Sequence, residues 1–255
     1  MRITVLGGFA GLTSTGAGAS GYLIRHGRTA IVVDLGPGTL AELRRQIDIR
    51  TLDAVIVSHG HMDHVSDLVG LHHVLRFSPT ALARRIPVLV PPGATAQFDL
   101  WRGAMPGWGD EALAVSEYDP SIEVIVGDIA VRFAPTMHPL QAWAMRFSIP
   151  NAGSIGYTAD TGPSASLDGL FADVDVLVSE ATLIRTDEPF RNRGHLTARE
   201  AGQLAARAGA LTLILSHRWE ESDGPTLLAE AGMSFDGTIL LARPALSVDA
   251  GMPRP

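Results

Sequence analysis

The chain has no cysteine, which excludes disulfides and thiolate metal sites and leaves any borderline cation to imidazole and carboxylate. A cytoplasmic location fits that composition. Long apolar runs are also missing. The longest fall well short of the ~18 residues of a membrane span, and Met1-Arg2-Ile3-Thr4-Val5-Leu6 passes straight into a strand-like pattern without the shape of a signal peptide. No membrane partner is therefore expected. Positive charge is scarce: 20 Lys and Arg against 27 Asp and Glu give a formal net charge of -7. That field disfavours a broad polyanion-binding face and hence large nucleic acids, yet a small anionic substrate remains open because a metal's own charge dominates at short range. No repeat or low-complexity linker divides the 255 residues, so a single domain spanning 1–255 is expected.

What the chain does have is a series of short β-branched runs interrupted by a few helical stretches. Strands are expected at 3–6, 19–25, 30–34, 54–58, 88–90, 123–126, 129–134, 144–149, 154–158, 176–179, 211–215 and 238–241. Helices are expected at 40–45, 63–77, 95–100 and 197–208, the last opened by Thr197 and Glu200 at capping-box spacing. Many strands with helices between them indicate a layered α/β sandwich rather than a strict βαβ repeat.

The segment Ser58-His59-Gly60-His61-Met62-Asp63-His64 sets three imidazoles and a carboxylate within six residues, directly after Ala54-Val55-Ile56-Val57. The runs at 129–134, 154–158 and 211–215 lead in the same way to His138, Asp160 and His217, and 175–179 leads to Glu180. Loops beyond strand ends are where α/β folds build their sites. His59, His61 and His138 are assigned to one metal, and Asp63, His64 and His217 to a second, with Asp160 bridging. His59 and His61, two apart on an extended turn, can face one point, whereas Asp63 and His64 at a helix start turn toward another. Three imidazoles on one ion leave a position for water, as in a catalytic site. Two divalent ions, Zn²⁺ by this donor set with Mn²⁺ or Fe²⁺ as alternatives, would hold a bridging hydroxide as nucleophile. His72 and His73 are expected as packing residues of the following helix, and His26 as a surface residue.

Together these residues resemble the metallo-β-lactamase superfamily, whose hallmark is a His-x-His-x-Asp-His loop followed by His, Asp and His on later strands. The resemblance spans nearly the whole chain and implies a four-layer αββα sandwich with a dinuclear metal centre. Ser179-Glu180-Ala181-Thr182-Leu183, Gly194-His195-Leu196-Thr197, Glu200-Ala201 and Leu215-Ser216-His217 are similar to the ribonuclease Z-like branch. That likeness implies that Glu180 and His195 form a proton-donating pair near the metals, and with the ligand Asp63 they are the expected catalytic residues. Hydrolysis of a phosphodiester requires protonation of an alkoxide leaving group, which an imidazolium held by a carboxylate can supply.

The departures narrow the reading. Members that process tRNA carry a long arm, commonly after the third-motif histidine, but only 21 residues separate His138 from Asp160. Asp67-Leu68-Val69-Gly70-Leu71 is similar to short bacterial relatives described as atypical cyclic-nucleotide phosphodiesterases, and Asp67 is alternatively a partner of a ligand histidine. The expected function is thus a dinuclear metal-dependent hydrolase, a phosphodiesterase on small or cyclic phosphodiesters. Hydrolysis of a lactone, ester or thioester on the same centre is the alternative, and tRNA 3′ processing is a weaker one. Di-iron oxidoreductases of the superfamily generally have Glu where this chain has His61. The resemblance also implies a homodimer.

Other segments carry less. The glycine-rich stretch 7–18 lacks a phosphate-binding fingerprint and is expected as a turn between two strands. Trp101 and Trp108, within 97–108, suggest a cover over the site, Trp143 and Trp219 follow two of the ligand histidines, and Arg218 is a candidate phosphate contact.

Overall fold

In strands β1 (Arg2–Gly7), β2 (Gly21–His26), β3 (Thr29–Leu35) and β4 (Ala54–Ile56), apolar side chains occupy both alternating faces, so each strand is covered on both sides. The computed structural model describes residues 1–11, 14–80, 84–104, 111–184 and 193–251. These four strands join β5 (Ile86–Val90), β6 (Leu113–Glu117) and β14 (Ser247–Asp249) in a seven-stranded sheet of order β14-β1-β2-β3-β4-β5-β6. A second seven-stranded sheet runs β13 (Thr238–Leu241), β12 (Thr212–Ser216), β11 (Val176–Glu180), β10 (Gly153–Tyr157), β9 (Trp143–Ile149), β8 (Ile129–Pro135) and β7 (Val124–Val126).

Period-two alternation assigns each strand residue to one of two layers. Val5, Tyr22, Ile31, Val33 and Ile56 meet Met145, Phe147, Val176, Val178 and Ile214 between the sheets. The alternate residues Leu23, Val32, Val55 and Val57 face outward onto Leu43, Leu68, Leu71 and Phe98. These come from α1 (Thr39–Gln46), α3 (Asp67–Phe77) and α4 (Thr95–Ala104). On the other side, Leu177, Leu213 and Leu215 pack on Leu167, Leu204 and Leu227, from α5 (Ser166–Leu170), α6 (Ala198–Arg207) and α7 (Gly224–Gly232). The architecture is the αββα sandwich.

Every strand expected from the sequence is present, with ends displaced by up to two residues, while β6 and β14 were not foreseen. Thr197 and Glu200 form the anticipated capping box of α6. The helix expected over 63–77 is divided at Ser66 into α2 (Met62–Val65) and α3. Neither α5 nor α7 was anticipated, although α7 carries its own start signal: the Asp223 side chain accepts from the Thr226 amide, followed by a proline in the first turn. Among the described residues no helix is long and apolar enough to cross a membrane.

The strand pairs β3·β4, β10·β11 and β11·β12 are parallel. Their C-terminal ends therefore open on the same side of their sheets, which brings the loops after β4, β10, β11 and β12 together.

Candidate metal centre

Strand β4 delivers the His-rich loop in a rigid frame. The Ser58 amide donates to Asp34 Oδ1 at 2.7 Å, the Gln97 side chain on α4 donates to the Gly60 carbonyl at 2.8 Å, and the His61 carbonyl accepts the His64 amide at 3.0 Å. Asp63, in the first turn of α2, is held through its backbone as well: its carbonyl accepts the Ser20 amide at 3.2 Å. A Cβ at position 36 would lie 1.9 Å from that carbonyl, so only glycine permits the approach.

Seven side chains converge as two donor groups. His61 Nδ1 lies 3.1 Å from both His59 Nε2 and His138 Nε2, and Asp160 Oδ2 is 3.6 Å from His59 Nε2 and 3.9 Å from His138 Nε2. In the second group, His217 Nε2 is 3.1 Å from Asp63 Oδ2 and 3.4 Å from Asp160 Oδ1, while His64 Nε2 is 3.3 Å from Asp160 Oδ1 and 3.9 Å from Asp63 Oδ2. Asp160 thus turns one oxygen to each group. Tetrahedral bonds of about 2.0–2.1 Å place neighbouring ligand atoms about 3.3 Å apart, within the 3.1–3.9 Å range of the distances above. His64 Nε2 and Asp160 Oδ1 are buried and make no hydrogen bond, as donor atoms reserved for a cation should be. Each group could hold a metal ion.

The imidazoles are oriented from behind. His64 Nδ1 donates to Asp34 Oδ2 at 2.7 Å, and the same oxygen accepts Tyr157 Oη and Ser58 Oγ, each at 2.7 Å. His59 Nδ1 donates to Ser58 Oγ at 3.0 Å, His138 Nδ1 to the Gly194 carbonyl at 3.0 Å, and His217 Nδ1 to Thr182 Oγ1 at 2.8 Å. With Nδ1 so engaged, Nε2 is the atom each of these rings turns toward its donor group, where it could bind an ion.

The electrostatics follow from burial and partners. Burial, then the nearby His64, drives the His59 pKa well below the ordinary imidazole value. For His64 burial acts downward too, but the charges of Asp160 and Asp34 overcome it and hold the pKa well above. Burial opposes the Asp160 carboxylate, yet His217 and His64 hold its pKa well below the usual range.

Beside the donor groups lies the expected acid pair. Both oxygens of the buried Glu180 are 3.1 Å from His195 Nδ1, and the carboxylate also accepts the amides of Leu196 and Thr161. The His195 ring is stacked on His217, with centroids 5.7 Å apart and 15° between planes. Burial disfavours its imidazolium, but the hydrogen bond and charge of Glu180 raise its pKa above the ordinary value. A ring nitrogen of His195 and ligand atoms of Asp160 and His217 lie within 4.8 Å of one another.

A model described as the beta-lactamase superfamily domain matches residues 29–218. The chain belongs to the β-lactamase superfamily. Over 243 aligned residues it is 29% identical to the probable metallo-hydrolase YhfI of Bacillus subtilis (strain 168), covering 95% of this chain and 97% of that protein. The crystal structure of YhfI, a metallo-β-lactamase fold protein, superposes with a TM-score of 0.88 over 98% of both chains at 26% identity. The short form of human tRNase Z superposes at 0.77 with 18% identity, covering 99% of this chain and 100% of that one. A diphosphatase of the PhnP family superposes at 0.73 with 18% identity, covering 97% of each chain.

Within this superfamily metallo-hydrolase, several secondary expectations change. Among the described residues the Asp67 carboxylate is not seen hydrogen-bonded to a candidate ligand histidine: it accepts the Leu40 amide at 2.8 Å and so ties the start of α1 to α3. The glycine-rich stretch is more than a turn, since the Gly11 amide donates to Asp63 Oδ2 at 3.1 Å. Leu12 and Thr13 of that stretch lie outside the described residues. Trp101 packs on Phe98 in the core behind the first sheet instead of covering the site, and Trp108 lies outside the described residues. Trp143 joins the core between the sheets, and Trp219 is exposed beside Gly11. The Arg218 guanidinium sits 4.4 Å over the Phe9 ring. His72 is buried, His73 is exposed rather than packed inside, and His26 pairs with Asp128 near the surface.

Asp34, Ser58, Thr182 and the Gly194 carbonyl were not singled out from the sequence as histidine partners. Thr182 and Gly194 do sit inside motifs that drew attention for other residues. Asp34 is 30 residues from His64 in the chain and has a positive φ of 55°, which no local pattern announces.

Proposed function

We propose that this metallo-hydrolase is a phosphodiesterase acting on small or cyclic phosphodiesters. His59, His61, His138 and Asp160 would hold one divalent ion, and Asp63, His64, His217 and Asp160 the other, Zn²⁺ being the ion that the donor set favours. The observation that carries the reading is the Glu180–His195 pair stacked against His217. Divalent ions in the two groups would supply a nucleophile from water near neutral pH and neutralise charge developing on the phosphoryl oxygens.

The chain's own residues do the rest. Glu180 accepts from His195 Nδ1, which leaves Nε2 as the atom that gives a proton to the departing alkoxide. Because Glu180 is itself fixed by the Leu196 and Thr161 amides, it can stabilise the imidazolium without moving. A thioester expels a thiolate that leaves without a proton, so an acid pair of this kind favours a substrate with an alkoxide leaving group, as a phosphodiester has. Strands β9 and β10 fill most of the interval between His138 and Asp160, which supports a small substrate over one gripped by an arm. The names of the tRNase Z and PhnP-family neighbours, both acting on phosphate linkages, agree with it.

The test is turnover of bis-p-nitrophenyl phosphate and of cyclic nucleotides by protein loaded with Zn²⁺, Mn²⁺ or Fe²⁺. Hydrolysis of the phosphodiesters is expected. Fully loaded protein that leaves them intact while cleaving a carboxyl ester or lactone would replace this reading with the alternative.

A further inference from the structure

Glu180 serves two histidines, one directly and one through a hydroxyl. His217 turns Nε2 toward Asp63 and Asp160; with an ion held there its ring proton would reside on Nδ1, where the acceptor is Thr182 Oγ1 at 2.8 Å. Thr182 then has one proton of its own to place. Two oxygens are in reach at 2.7 Å, Glu180 Oε2 and the His217 carbonyl. An ionised carboxylate is the stronger acceptor, by roughly twofold over a neutral one. The chain of donors therefore runs from His217 Nδ1 to Thr182 Oγ1 to Glu180 Oε2, and all three side chains are buried.

The first sheet contains the same device. His59 Nδ1 donates to Ser58 Oγ at 3.0 Å, and Ser58 Oγ donates to Asp34 Oδ2 at 2.7 Å. In both cases a hydroxyl residue just beyond a strand stands between a candidate ligand and a buried carboxylate. The two differ in what the carboxylate does next. Asp34 goes on to His64, another ligand, whereas Glu180 goes on to His195, which is not in either set of four donors.

We propose that Thr182 is a positioning residue that couples occupancy of the second ion site to the orientation of the Glu180–His195 pair. The proposal rests on the metal-site and acid-pair reading above. Binding an ion at His217 Nε2 strengthens the Nδ1–H donor, which draws the Thr182 hydroxyl into line with Glu180; a carboxylate at Glu180 in turn makes His217 a better ligand. The linkage is reciprocal, so it is visible in metal affinity without any turnover.

The experiment is a double-mutant cycle read by Zn²⁺ competition with a chromophoric chelator, on wild type, Thr182→Val, Glu180→Gln and the double variant, with Thr182→Ser alongside. Thr182→Val is expected to weaken the second Zn²⁺ by about 10–100-fold, the usual cost of losing such a partner. Glu180→Gln should weaken it by about 10-fold on its own, yet add nothing once Thr182 is Val. Thr182→Ser, which keeps the hydroxyl, should stay within about threefold of wild type.

Unchanged second-site affinity in Glu180→Gln, additive losses in the double variant, or a serine variant no better than valine each overturn the coupling. Should Thr182→Val fail to fold by circular dichroism, Glu180→Gln and Thr182→Ser still decide. Wild-type protein that binds fewer than two Zn²⁺ would instead overturn the functional reading and the coupling together, so the two failures are distinguishable.

Discussion

His64 donates from Nδ1 to Asp34 across 2.7 Å, and neither side chain has any exposure. Asp34 also accepts the Ser58 amide and hydroxyl and the Tyr157 hydroxyl, so its carboxylate meets donors only. Asp34→Asn would turn an amide NH₂ against one of those donors. Breaking so buried a pair is expected to cost about 3–5 kcal/mol of stability and about 10–100-fold in affinity for the ion at His64. Urea unfolding of the metal-free and loaded forms, with a chelator competition, measures both losses.

Asp160 presents one oxygen to each donor group, so Asp160→Ala should impair both ions, whereas His61→Ala, which alters one group, should impair one. Metal analysis after gel filtration distinguishes the two stoichiometries. Because the ions would bind the folded chain alone, Zn²⁺ at about 100 times its dissociation constant should add roughly 2.7 kcal/mol of stability. EDTA should remove that increment and lower the melting temperature accordingly.

How far the site was legible depended on how local each signal was. His59, His61, Asp63 and His64 lie within six residues, and His138, Asp160 and His217 each follow a recognisable strand. Short β-branched apolar runs revealed nearly all the strands because both sheet faces are buried, and their number pointed to a layered α/β sandwich, whereas the four layers came from the family resemblance. The partners of the ligands were not legible in this way. Asp34 looks like any acid at a strand end until folding brings Tyr157 to it from 123 residues away. Trp101 misled for the opposite reason: an aromatic among Pro and Gly suggests a lid, and only packing against Phe98 shows it to be half-buried against the core.

Asp67 separates a structural acid from a specificity residue. Burial raises its carboxyl pKa, against the Leu40, Gly38 and Thr39 amides that pull it down. Asp67→Ala should cost about 1 kcal/mol, as removal of a helix cap does, with metal content and kcat unchanged. A carboxyl whose folded pKa is raised adds stability below its unfolded pKa of about 4, and this is lost as pH rises through the folded value. Asp67→Asn carries no such dependence, so its stability relative to wild type should climb between about pH 4 and neutrality. Thermal melts across that range check the slope, and a fall in metal content in Asp67→Ala would contradict the assignment.

His195 gives the sharpest test of the proposed chemistry, because its contribution should depend on the leaving group. A p-nitrophenolate departs without a proton, whereas an alkoxide needs one, so His195→Ala should lower kcat on an alkyl phosphodiester by about 10²–10⁴ and on bis-p-nitrophenyl phosphate by far less, with both ions retained. Glu180 raises the His195 pKa, and a general acid works only while protonated, so the rate on the alkyl substrate should fall as pH rises through that pKa. Glu180→Gln removes the charge that holds the proton, which moves the fall to lower pH. The same raised pKa adds stability present below about pH 6.5, the unfolded histidine value, and lost as pH rises through the folded one. Rate profiles on the two substrates separate the roles: equal losses on both, or an alkaline limb that Glu180→Gln leaves in place, would mean that His195 positions the centre and donates no proton.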